Sequence, residues 1–172
     1  MRIEPQTTPD LHKLAELIDK IKVGMLTTYN ADDKILHSRP LTTLKMDATP
    51  AIWFLTSISS PKIHELDRAP QVCLTYANGS DFVCVAGTSQ LLRDRATIAE
   101  LWTPLAKTWF PQSVDDPDLA ALRVVVQHAE YWDAPDGTLK QLFALIAATV
   151  TQSPGLLGAN VKIDPGVKPG KR

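Results

Sequence analysis

The chain has 172 residues, with 18 Lys and Arg against 19 Asp and Glu and a formal net charge of −1. That length fits one domain with a real core, and the near-neutral balance leaves no basic footprint for nucleic acid. The most apolar run, Leu142 to Val150, falls well short of the ~20 residues a membrane helix needs, and Met1 to Asp10 lacks the apolar region of a signal peptide, so a cytoplasmic protein off the membrane is expected.

Thr8, Pro9 and Asp10 open a first helix as cap, first helical position and dipole-favoured acid. Leu11, Leu14, Leu17, Ile18 and Ile21 then recur at helical spacing and give it one apolar face. Val23 to Tyr29 reads as a first strand, and the polar turn Asn30 to Lys34 leads into a second, Ile35 to Met46. After a turn at Asp47 to Pro50, the unbroken run Ala51 to Ser57 is a third strand. A short helix from Pro61 to about Asp67 ends at the Pro70 break, and Gln71 to Ala77 is a fourth strand. Asn78 and Gly79 signal a tight turn into the fifth, Asp81 to Arg93. Short connections of this kind favour an antiparallel barrel or meander over a βαβ sheet.

Asp94 caps a helix to Leu101, and Trp109-Phe110-Pro111 then places aromatic residues in a loop. Such residues serve a planar ligand, a subunit contact or a core plug. The acidic turn Asp115 to Asp118 precedes a sixth strand, Leu122 to Trp132, and Thr138 to Thr151 is a last helix. Residues 1–152 are thus expected to form one domain, with 153–172 a mobile tail rich in Pro and Gly. Cys73 and Cys84 lie in apolar strand-like runs without CxxC spacing and are expected as buried free thiols. His12, His37, His64 and His128 show no ligand spacing, and no metal site is expected.

The third strand feeds Ser60-Pro61-Lys62, where Ser60 is a candidate helix cap and Lys62 an ammonium beside free backbone N–H groups. That corner would attract a phosphate. On the second strand Arg39 shares a face with His37 and Leu41, and Pro40 removes a ladder donor, which suits an edge or a bulge. An Arg there can fork onto a phosphate or a carboxylate, or remain solvated.

The order Met25-Leu26-Thr27-Thr28, Ser38-Arg39-Pro40-Leu41, Trp53 to Ser57 with Ser60 and Lys62, then Trp109-Phe110-Pro111 and Ala129-Glu130-Tyr131-Trp132-Asp133, resembles the flavin-binding split-barrel proteins related to pyridoxamine phosphate oxidase, closest to the general stress protein branch. The resemblance implies a mainly β fold, a six-stranded antiparallel split β-barrel with flanking helices, in a homodimer with flavin mononucleotide (FMN) at the subunit boundary. It places Arg39, Leu41 and Thr42 at the ribityl-phosphate and ring edge, Thr56 and Ser57 at the ring and ribityl chain, Ser60 and Lys62 at the phosphate, and Trp109 and Phe110 as aromatic contacts from the loop. The oxidase branch has Arg-Lys where this chain has Pro61-Lys62, and it holds its vitamin substrate with a C-terminal Arg-containing strand for which residues 153–172 show no pattern. The implied activity is therefore a flavin-dependent oxidoreductase without that substrate. A flavin store or sensor without turnover, or a barrel carrying haem or a deazaflavin, are the alternatives.

Overall fold

The computed structural model describes residues 1–79, 81–133, 160–163 and 165. The helix expected at 138–151 and most of the expected tail lie outside the described residues. Thr8 caps α1 (Pro9–Ile21), its hydroxyl accepting the Leu11 N–H at 3.2 Å, and the face carrying Leu11, Leu14, Leu17 and Ile18 is buried against the sheet. The strands are β1 (Arg2–Ile3), β2 (Val23–Asn30), β3 (Ile35–Thr42), β4 (Lys45–Met46), β5 (Ala51–Ser57), β6 (Gln71–Asn78), β7 (Asp81–Leu92), β8 (Leu119–Asp133) and β9 (Asn160–Ile163). Helices α2 (Lys62–Arg68) and α3 (Arg95–Leu101) and two 3-10 turns, Pro104–Thr108 and Ser113–Asp115, fill the connections.

One sheet holds all the strands in the order β1-β4-β5-β8-β7-β6-β2-β3, with β9 added to β8. Six long strands, β2, β3, β5, β6, β7 and β8, correspond to the six expected from the sequence. The pairs are antiparallel except β1 with β4. The expected second strand, Ile35 to Met46, is broken at Thr43 and Leu44: β3 pairs with β2 at one rim, and β4 with β5 near the other. The Thr43 N–H donates to Lys22 O at 2.8 Å and the Leu44 N–H to Trp53 O at 2.9 Å, so each residue bonds to a different rim. The sheet curls without closing, and the chain itself crosses the gap. This is a split barrel. It also means that Arg39 lies on a strand bonded to β2 and not to β5, although the expected second and third strands follow one another across the short turn at Asp47 to Pro50.

The barrel interior is filled by Leu26, Phe54, Leu74, Val85 and Val124 under Leu14 and Ile18 of α1. The other face of β5, Trp53 and Leu55, packs against a second cluster from α3, the loop after it and the start of β8, Ile98, Leu101, Phe110 and Leu119. Gly87 sits where β7 shifts register against β8, and a Cβ there would meet Val125 O at 2.3 Å. Part of the expected tail is a strand instead: β9 pairs with β8, and Ile163 joins the barrel core. Among the described residues no helix is long and apolar enough to cross a membrane.

Candidate functional site

At the split, where β3 crosses to β4, a cleft of about 600 Å³ opens, within the range of about 300–1,000 Å³ usual for ligand pockets. Pro40, Leu41, Thr42 and Leu44 of the crossing form one wall, and Leu55, Thr56 and Ser57 at the end of β5 form another. Ser60, Lys62 and Asp118 stand at the polar end, and Leu105, Ala106, Trp109 and Phe110 at the apolar end. Eight of the nine residues expected at a ligand are thereby brought to one cavity. Arg39 is not in its lining.

Lys62 is only 7 % exposed, and its ammonium donates to Ser60 Oγ at 2.7 Å. Among the described residues no carboxylate lies within ion-pair distance of it. Burial lowers its pKa, the charge of Arg39 lowers it further, and Glu65 and Asp118 partly offset both. A buried ammonium in that state is stabilised by an anion. Thr56 is buried too, and its hydroxyl oxygen has no hydrogen-bond partner among the described residues. An orphaned polar atom on a cleft wall costs free energy until a ligand satisfies it.

The expected helix cap at Ser60 is not formed. Pro61 already has helical backbone angles (φ −52°, ψ −30°) and occupies the capping position without a side-chain bond, so the Ser60 hydroxyl is free to accept from Lys62. The Arg39 guanidinium donates to Thr28 Oγ at 2.6 Å and to Glu65 Oε2 at 2.9 Å. His37 Nδ1 lies 2.5 Å from the other oxygen of Glu65, which is the strand histidine's role in this fold. Arg39 therefore stands behind the cleft, near enough to act on Lys62 through its charge.

Asp118 escaped the sequence reading. Its carboxylate accepts from the Ser57 hydroxyl at 2.5 Å, the Ser59 N–H at 2.7 Å and the Ser59 hydroxyl at 3.0 Å. The Ser57 bond leads the contributions that hold its pKa below the ordinary aspartate range. Leu44, Leu55, Leu105 and Ala106 were also missed, since a wall assembled from three segments far apart in the chain leaves no local signal. Phe110 is 8 % exposed and serves both as core plug and cleft wall, whereas Trp109 is 66 % exposed at the rim. Cys73 and Cys84 are free as expected, but half-buried, because strand alternation puts them on the outer face of the sheet. Among the described residues no cluster could hold a metal ion.

Several solved structures share the architecture. A protein from Clostridium acetobutylicum related to general stress protein 26, of the pyridoxinephosphate oxidase family, is 22% identical, with 90% of this chain and 93% of that chain covered and a TM-score of 0.67. The general stress FMN/FAD binding protein of Xanthomonas citri is 24% identical over 88% of this chain and 100% of that chain, with a TM-score of 0.65. A general stress family protein from Xanthomonas campestris is 25% identical over 88% and 99%, with a TM-score of 0.64. No curated protein matches the chain. The sequence model described as "Pyridoxamine 5'-phosphate oxidase like" matches residues 9–154, most of the chain and all of the cleft, and the protein therefore belongs to the pyridoxamine 5'-phosphate oxidase-like family.

Proposed function

We propose that the cleft binds FMN, and that the protein acts as a homodimeric flavin-dependent oxidoreductase of the general stress type. The observation that carries this reading is the buried Lys62 ammonium, without a carboxylate partner among the described residues, in the same cleft as the orphaned Thr56 hydroxyl. The residues fit the group. Lys62 and Ser60 suit a phosphate, Ser57 and Asp118 suit the hydroxyls of a ribityl chain, and Thr56 offers a hydrogen bond at the ring. Leu41, Leu44, Leu55 and Phe110 give a planar ring an apolar bed. The carboxylate of Asp118 would repel a second anion, which favours a ligand with one charged end and hydroxyls beside it. Arg39 supports the anion from behind, with its geometry set by Glu65.

When bound, the flavin supplies the hydride and electron transfer itself, and the chain's task is to bind, orient and shield it. Among the described lining residues there is no imidazole, thiol or paired acid and base, and this observation favours a second reading, a flavin store without turnover. Anaerobic mixing with reduced nicotinamide separates the two, since a store does not bleach at a useful rate.

Flavin titration tests the binding itself. Losing a charge-assisted bond of about 1.5–3 kcal/mol predicts that Lys62→Ala weakens FMN binding roughly 10- to 150-fold. Riboflavin, which lacks the phosphate, should change much less. Equal losses for both ligands would remove Lys62 as the phosphate contact, and a chain that binds neither would remove the flavin.

A further inference from the structure

We propose that Cys73 and Cys84 form a two-thiol site for a soft, thiophilic centre, with trivalent arsenicals carrying one organic group as the ligand class it takes. The pair lies away from the cleft. On β6, Cys73 sits between buried Val72 and Leu74, and on β7, Cys84 sits between buried Val83 and Val85, so both side chains belong to the outer face of the sheet. Both thiols are free and half-buried, and their sulfurs are 3.6 Å apart.

The backbone register decides what those sulfurs can do. Cys73 faces Ala86 and Cys84 faces Thr75, which makes the cysteines diagonal neighbours and not direct partners. Diagonal neighbours in an antiparallel pair stand about 7–8 Å apart, beyond the Cα separation of about 4.4–6.8 Å that a disulfide spans. The sulfur separation, by contrast, suits a chelate: two thiolates on one central atom, with bonds of about 2.3 Å, lie about 3.3 Å apart at the near-right angle of a pyramidal centre and about 3.8 Å apart at the tetrahedral angle. One bridging atom fits where a direct S–S bond would require the strands to shift.

Among the described residues no third ligand completes a metal site. Glu130 faces Cys84 from β8, but its carboxylate is engaged by His128 at 3.2 Å and Lys162 at 3.6 Å. Two sulfurs alone select a centre that two thiolates satisfy, and an arsenic(III) with one organic substituent is such a centre. Burial and the contact with Cys84 push the Cys73 thiol up to about 11, so single-thiol alkylation at neutral pH is slow. An arsine oxide brings its own proton acceptor: two As–S bonds replace the bonds from arsenic to oxygen, both thiol protons leave with that oxygen as one water, and arsenic stays trivalent.

The test titrates the reduced, full-length chain with phenylarsine oxide and follows the adduct by intact mass. One arsenical per chain is expected, released by 2,3-dimercaptopropanol but not by a monothiol. Cys73→Ser and Cys84→Ser should each weaken retention about 100-fold or more, because the second bond is then lost from an intramolecular pair. Cys73→Ala and Cys84→Ala repeat the measurement without placing a hydroxyl on a half-buried site. Equal uptake by the single variants overturns the proposal, as does a native chain that takes up no arsenical while the unfolded chain does.

Discussion

Glu65 is 4 % exposed, and its carboxylate has three partners, the Thr28 hydroxyl, His37 and Arg39. Burial opposes its charged form, but the three hydrogen bonds outweigh burial and bring its pKa from 4.5 down to about 2. A carboxylate depressed on folding stabilises the native state above its unfolded pKa and loses that contribution as pH falls through the folded one. Stability should therefore decline between pH 4.5 and about 2. Glu65→Gln should cost about 1.5–3 kcal/mol at neutral pH and blunt that acid-dependent loss. Urea midpoints measured across this window check both, and identical acid profiles for variant and wild type would refute the assignment. Thr56→Val makes a complementary prediction. Its hydroxyl has no partner in the free protein, so the substitution should leave the unliganded chain as stable or slightly more so. FMN affinity, read by titration, should fall about 5- to 10-fold, which is the size of one ordinary hydrogen bond. Lys62 adds a pH signature, since its pKa is lowered in the free protein and an anion would raise it again. Affinity for FMN should be full while Lys62 is protonated and fall as pH rises through that lowered value, with riboflavin affinity flat over the same range.

Among the elements, the crossing between β3 and β4 depends on β2 and β6 beneath it. Gly24 of β2 lies under the Tyr76 ring, and a Cβ there would come within 2.6 Å of Tyr76 Cε1. The Tyr76 hydroxyl in turn lies 2.9 Å from Thr43 Oγ, in a buried pair at the start of the crossing. Gly24→Ala should displace the ring, loosen that tie and cost about 1–3 kcal/mol, the usual range for overpacking a filled core. A thermal or urea midpoint equal to wild type would show that the ring yields freely. The same crossing marks where the sequence stopped being informative. The α1 cap, its apolar face, the long strands and the Asp94 cap were all legible, because each rests on neighbouring residues. The break at Thr43 and Leu44 was not, because the residue pattern runs on while the pairing partner changes. Arg39 could be read as a ligand contact since nothing local announces Glu65, which is 26 residues away. Asp118 and Ser59 meet across 59 residues for the same reason. The strand at Asn160–Ile163 was hidden by its surroundings of Pro and Gly.

For the whole molecule, the question is what covers the outside of the barrel. The Trp53 and Leu55 face of β5 is covered by the cluster from α3, the loop beyond it and the start of β8. The outer face of β2 and β3 stays open: Val23 is 47 % exposed, Met25 39 %, Tyr29 38 % and Leu36 69 %. Tyr29 and Leu36 are direct cross-strand partners, and Met25 faces Pro40, so the exposed apolar side chains form a stripe towards the crossing that lines the cleft, interrupted at its centre by the hydrogen-bonded pair Thr27 and Ser38. Charged side chains are the usual occupants of an exposed edge strand, and a stripe of this kind marks an interaction surface. A second copy meeting it would bring its own residues towards the cleft rim, where Trp109 and Leu105 are also exposed. Sedimentation equilibrium at micromolar concentration should give twice the chain mass for wild type. Leu36→Glu, which places an unpaired charge beside Tyr29 at the turn end of the stripe, should shift the protein to monomer without unfolding it, since Leu36 packs on neither core cluster. If the interface also completes the site, FMN affinity should fall in parallel with the dimer. A wild type that sediments as monomer would remove the subunit contact altogether, and a Leu36→Glu dimer of unchanged strength would move it away from this face.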